Sequence, residues 1–270
     1  MKKFIFFKTI ILVLIIGMPF IANSKNNSRE LILIPAKKGA TWGYVSPNSE
    51  KAIPFIYDGA LVFSEGLAPV LKNSKCGYID KSGKVVIPFE YDGVLDFSEG
   101  LAAVVKDNKC GYIDKSGKVV IPFEYDDTYD FSEGLATVIK NNKCGYIDKS
   151  GKVVIPFEYD DTRDFSEGLA AVQKDGKWGY IDKSGKVVIP FEYTAFPPGI
   201  FSEGLASAVK DIARTGFIDK SGNEAIPFEY DDALDFSEGF AAVVKDNKWG
   251  VIDKTGKTVI EFVYDDIIWP

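Results

Sequence analysis

Catalysis and metal binding draw on a few side-chain types held at fixed spacing, and this chain is poor in them. Its 270 residues contain no histidine and only three cysteines, Cys76, Cys110 and Cys144. Without histidine, the usual nucleophile–base triads, imidazole general bases and most zinc sites have no ligand or proton carrier. The cysteines fall 34 residues apart, at one position of a repeat. Stacked sheets lie roughly 10 Å apart, whereas a disulfide needs Cα atoms within about 7 Å. Three reduced, buried thiols packing as small apolar groups are therefore expected.

Carboxylates are abundant but duplicated. The cluster Asp126-Asp127, Asp130 and Glu133 has counterparts in most copies. It lacks the alternate-residue spacing and central glycine of an EF-hand loop, and reads as turn chemistry in which Asp and Ser satisfy connector amides. A glycosidase needs one positioned pair of carboxylates. Here Glu224 and Glu261 depart from the repeat, each in a different copy. No glycine-rich phosphate loop precedes a helix, because nothing past the N-terminal segment reads as a helix. The expectation is a protein that is not an enzyme, with no catalytic residue, no metal and no cofactor.

Binding residues are sought where the copies differ. The connectors follow Tyr-Asp-Asp-x-x-Asp-Phe, and the variable pair is Ala60-Leu61, Val94-Leu95, Thr128-Tyr129, Thr162-Arg163 or Ala233-Leu234. One connector breaks the pattern with Thr194-Ala195-Phe196-Pro197-Pro198-Gly199-Ile200. Loops on a rigid scaffold commonly carry recognition residues, so Tyr129, Arg163, Phe196, Pro197 and Pro198 are the candidate partner-binding positions.

The elements that position these residues come from a sevenfold repeat. Trp42-Gly43, Cys76-Gly77, Cys110-Gly111, Cys144-Gly145, Trp178-Gly179, Thr215-Gly216 and Trp249-Gly250 are spaced by 34, except for 37 before Thr215. The units run 30–63, 64–97, 98–131, 132–165, 166–201, 202–236 and 237–270, in one repeat domain over 30–270. In unit 98–131, Leu101 to Val105 is a strand of apolar residues and Lys106-Asp107-Asn108-Lys109 a turn. Cys110 to Asp114 is a second strand, and Asp114-Lys115-Ser116-Gly117-Lys118 a tight hairpin. Val119 to Tyr125 is a third, with Val119, Ile121, Phe123 and Tyr125 on one face by alternation. Pro122 cannot donate to a ladder, which places that strand at an edge or bulge. Gly111 beside Cys110 implies close approach of a neighbouring backbone. In the first unit the first strand is expected at Glu30 to Pro35. The fold class is thus all-β: seven tandem three-stranded antiparallel meanders. A closed propeller-like ring and an open β-superhelix both fit, the ring being preferred. Trp42, Cys76, Cys110, Cys144, Trp178 and Trp249 are expected in its core.

Residues 1–24 have another character. Lys2, Lys3 and Lys8 precede an apolar run from Thr9 to Ile21, and Ala22-Asn23-Ser24 offers small residues to a signal peptidase. This reads as a cleavable signal peptide, the alternative being a retained membrane anchor, with 25–29 a short linker, and implies export to a bacterial periplasm or the exterior. Cleavage moves the net charge from −7 to −10. Such a surface repels phosphate backbones and anionic headgroups, which argues against nucleic acid and membrane-surface partners.

The run Lys177-Trp178-Gly179-Tyr180-Ile181-Asp182-Lys183-Ser184-Gly185-Lys186, continuing Val187-Val188-Ile189-Pro190-Phe191-Glu192-Tyr193, resembles the bacterial WG repeat, also called the KWG repeat. So does Phe-Ser-Glu-Gly-Leu-Ala between copies. The resemblance implies a β-rich, frequently exported protein and supplies no catalytic residues. It fails at the name-giving tryptophan in four copies, which carry Cys76, Cys110, Cys144 and Thr215. The functional expectation is a non-enzymatic scaffold for an unknown protein partner, with an envelope glycan-binding module as the alternative. Buried rings would favour the first; a row of solvent-facing rings at one repeat position would favour the second.

Overall fold

A computed structural model describes residues 31–48, 52–194, 197–210 and 214–269. The segments read as signal peptide and linker, and the candidate Phe196, lie outside the described residues. Among those described there is no helix, and hence none long and apolar enough to cross a membrane. Seven antiparallel sheets follow one another along the chain.

The sheet containing unit 98–131 shows why these residues fold as they do. Its strands are Leu101–Lys106, Lys109–Asp114 and Val119–Tyr125. The first turn closes in two residues, with Asp107 and Asn108 at φ +52° and +61°, a left-handed conformation that Asn and Asp tolerate. In the second turn Asp114 Oδ1 accepts from Ser116 N at 2.9 Å, Ser116 Oγ at 2.6 Å and Lys118 N at 3.1 Å. These bonds, that from Ser116 Oγ first, hold the Asp114 carboxyl below its ordinary pKa.

The third strand pairs only with the second and forms the sheet edge. Its register steps from Tyr112↔Ile121 to Cys110↔Tyr125, so Pro122 lies in a bulge as well as on an edge. The bulge folds over Gly111: a Cβ there would sit 2.6 Å from Ile121 O and 2.9 Å from the Pro122 carbonyl. A second register step, from Tyr112↔Ile121 to Ile113↔Val119, interrupts strict alternation. Ile121 and Tyr125 are buried and Phe123 half-buried, but Val119 is exposed, against the one-face expectation.

Two further departures have local causes. The connector pairs as it crosses: Gly93–Val94 is a short strand hydrogen-bonded to Leu101–Lys106, flanked by Asp92 N to Val105 O at 2.8 Å and Leu95 N to Ala103 O at 2.9 Å. Five of the sheets described therefore have four strands and two have three. Otherwise-unpaired connector amides drive the addition. In the first sheet the first strand is Ile34–Lys38, not Glu30 to Pro35, because Gly39 at φ +64° sets a tight turn to Thr41–Val45.

The chain divides into two compact bodies, one comprising 31–141 with 147–152 and the other 142–146 with 153–269. Inside each, tyrosines of second strands pack on the Phe of Phe-Ser-Glu-Gly: Tyr112–Phe131 in the first and Tyr180–Phe201 in the second, both with ring centroids 4.9 Å apart.

Candidate functional site

Most repeated polar side chains hold one copy to the next. In the first body Ser64 Oγ donates to Phe97 O and Ser98 Oγ to Phe131 O, both at 2.7 Å. The Glu65 carboxylate accepts from Gly100 N at 3.0 Å and pairs with Lys115 at 3.0 Å, the Lys of the next Asp-Lys-Ser-Gly turn. In the second body Ser202 Oγ donates to Phe236 O at 2.6 Å, and Glu203 binds Gly239 N at 3.0 Å and Lys254 at 2.7 Å. Phe-Ser-Glu-Gly is thus a clasp between copies. Second-strand tyrosines tie down the connectors, as in Tyr112 OH to Tyr129 O at 2.7 Å and Tyr180 OH to Gly199 O at 2.8 Å.

Cys76, Cys110 and Cys144 are free and buried. Burial first, then nearby aspartates, pushes the Cys76 thiol up to about 11 and that of Cys110 up to about 12. Such thiols are poor nucleophiles. Trp178 is buried as well, while Trp42 and Trp249 are half-buried. Trp42 and Trp249 belong to the first and last sheets, whereas the buried Trp178 belongs to the fifth.

The second-strand residue and the connector's short strand complement one another in size. Trp42 goes with Ala60, Cys76 with Val94, Cys110 with Thr128 and Cys144 with Thr162. Ala60 and Trp42 share one core cluster, and Cys76 and Val94 another. The sixth sheet breaks this rule, since Thr215 faces a connector bearing Ala233 and both are small. It is also a three-stranded sheet, because the pattern-breaking connector supplies no short strand. Its contribution there is Gly199 N to Ser207 O at 2.8 Å.

A cavity of about 590 Å³ results, within the second body. Pro197, Pro198, Ile200 and Leu234 contribute apolar wall, and Arg163, Asp164, Asp231, Asp232 and Asp235 charged groups. Thr215, Ser207 and Gly199 also line it. Gly199 lets the connector approach, because a Cβ there would lie 2.5 Å from both Asp235 Oδ1 and Ser207 Oγ. Trp269, standing where other connectors carry Asp, donates from Nε1 to Asp235 O at 3.1 Å and fixes that wall. Burial raises the pKa of Asp235, and the nearby Arg163 guanidinium opposes the rise.

Three sequence candidates, Arg163, Pro197 and Pro198, meet at this cavity. Tyr129 lies in the other body, half-buried on its connector. Thr215 stood out only as a departure from tryptophan, and Ser207 and Asp235 were not singled out; the available signal was the coincidence of two small residues at positions 18 apart. Among the described residues, no three His, Cys, Asp or Glu side chains gather as a metal site would require.

Repeated sheets joined by clasps define a tandem β-repeat array. The chain belongs to the family of WG-containing repeats: its model matches seven times, over 42–76, 77–110, 111–144, 145–178, 178–211, 216–249 and 249–270. No curated protein sequence matches the chain. Among solved structures it is similar to a eukaryotic initiation factor, with TM-score 0.61, 12% identity, and 86% of this chain and 73% of that one covered. It is also similar to BamB from Moraxella catarrhalis, with TM-score 0.50, 8% identity and coverages of 84% and 86%. The computationally designed Ika8 protein matches with TM-score 0.50, 10% identity and coverages of 86% and 87%. At these identities the likeness concerns the fold alone.

Proposed function

We propose that this chain is an exported, non-enzymatic repeat scaffold that binds a protein partner, with the cavity at the sixth sheet as its contact point. One observation carries the choice of protein over glycan. Among the described aromatic residues only Phe240 and Tyr264 are exposed, both in the last unit and at different repeat positions, and the third-strand ring repeated from Phe55 to Phe262 is half-buried in each copy. The absence of histidine and the engagement of repeated carboxylates in turns and clasps support a non-catalytic role. The leader-like N-terminal segment supports export.

The test uses immobilised 30–270 and envelope extract. A retained basic protein, released as salt screens the acidic surface and no longer retained by a Thr215→Trp variant, is the expected result. Retention of peptidoglycan or array glycans with no retained protein would replace this reading with the glycan-binding one. Fractionation of cells, with N-terminal sequencing of the exported chain, tests export; an uncleaved chain in the cytoplasm would refute it.

A further inference from the structure

We propose that the cavity between Thr215, Ala233 and the Pro197-Pro198 connector receives an alkylammonium group on an apolar stem, the chemistry of a lysine side chain. The proposal rests on the reading of this cavity as the binding site and names what enters it.

The cavity is a departure from the repeat, not a feature of it. Other copies fill the corresponding space with Trp or with Cys plus a β-branched partner; here both residues are small and the connector strand is missing. A volume of about 590 Å³ falls in the range of sites for small ligands or side-chain anchors, roughly 300–1,000 Å³. A void of this kind forgoes packing, and an occupant would restore it.

Its chemistry selects the occupant. Among the described residues, Asp164, Asp231, Asp232 and Asp235 line it against the one cation Arg163. Asp231 is already paired with Arg214 and receives Asn247 N at 3.2 Å, and Asp232 receives Ala233 N at 2.8 Å. The balance stays negative, which disfavours phosphates and carboxylates. Among the described residues that line it there is no aromatic ring on which a sugar could stack. Thr215 is 5% exposed and lines the cavity, and its hydroxyl makes no hydrogen bond among the described residues. That hydroxyl can accept a hydrogen bond from an ammonium. Ser207 Oγ and Oδ1 of the partly buried Asp235 both lie beside Gly199 as further acceptors. Pro197, Pro198, Ile200 and Leu234 offer contact to a methylene stem.

The probes are N-acetyl-lysine methylamide, its norleucine analogue lacking the charge, its glutamate analogue, and n-butylamine, titrated into 30–270 by calorimetry and by NMR shifts. The lysine probe should bind at least tenfold more tightly than the norleucine and glutamate probes. Thr215→Val and Asp235→Asn should each weaken it severalfold, whereas Arg163→Gln should tighten it. Binding of n-butylamine as tight as that of the lysine probe would assign the site to free amines; weaker binding would assign it to a side chain in a chain. Equal binding of the norleucine probe, or glutamate binding lost in Arg163→Gln, would overturn the proposal.

Thr215→Trp restores the repeat's own Trp–Ala combination of Trp42 with Ala60, and should abolish lysine binding while raising the melting temperature. Should that variant not fold, Thr215→Cys offers a milder filling. A partner still lost in Thr215→Trp, with no amine binding to the parent, would refute the ligand class alone. A partner retained by the filled variant would refute the site.

Discussion

Replacing Gly111 by Ala tests the packing of second strand against bulge. The added Cβ would stand 2.6 Å from Ile121 O and 2.9 Å from the carbonyl carbon and oxygen of Pro122, where ordinary contact begins at 3.4 Å. The opposing backbone must retreat by about 0.8 Å, the difference between 3.4 and 2.6 Å. That backbone carries the buried Ile121 and Tyr125 and is held in register at Tyr112 and Cys110. Overpacking of this kind costs about 1–3 kcal/mol, and alanine recovers roughly 0.5–1 kcal/mol of the entropy cost of ordering glycine. Because the clash is with backbone at two points, Gly111→Ala should lose about 2 kcal/mol, toward the upper part of that balance. Urea unfolding followed by far-UV circular dichroism measures it, with amide exchange locating the loss at Tyr112 and Ile121. Gly100→Ala is the control: φ is +87° there, but no atom lies within 4 Å of the Cβ, so only backbone strain of about 1 kcal/mol applies. A Gly111→Ala variant within about 0.5 kcal/mol of the parent, or less damaged than Gly100→Ala, would refute the reasoning.

Cys110→Trp should lower the melting temperature because Thr128, 0% exposed, occupies the space opposite; adding Thr128→Ala should recover much of the loss, and a double-mutant cycle without coupling would count against paired sizes. Ser98→Ala, which removes the 2.7 Å bond to Phe131 O, should cost about 1 kcal/mol in urea unfolding, and an unchanged midpoint would show the clasp to be dispensable. Asp96 Oδ1 is buried with no hydrogen-bond partner among the described residues, and burial raises its pKa. A raised carboxyl favours the folded state below its unfolded pKa and loses that contribution as pH rises through the folded value. Asp96→Asn should therefore stabilise at pH 7 and cease to do so below about pH 3.9; a pH-independent difference in thermal scans would contradict this. Iodoacetamide should label Cys76, Cys110 and Cys144 only as the protein unfolds, and fast labelling of the native chain would show the thiols to be accessible.

Strand and turn positions were legible because their determinants are local and repeated. Asp107-Asn108, Ser116-Gly117 and Pro122 each restrict the backbone at their own position, and Gly111 signalled the close approach that the bulge makes. Connector variability led to Arg163, Pro197 and Pro198. Contacts between residues far apart in the chain left no such mark. The Ser98–Phe131 and Glu65–Lys115 ties looked like turn composition, the short connector strand had no alternating pattern, and Val119 left the predicted face because a bulge shifts side-chain alternation. Asp235 passed for one more turn acid, although burial sets it apart from Asp114. The sequence alone determined the seven copies, their three principal strands and the scarcity of catalytic side chains. Tertiary structure decided which copy is incomplete, because a cavity arises when two small residues from separate segments face each other, and neither is unusual on its own.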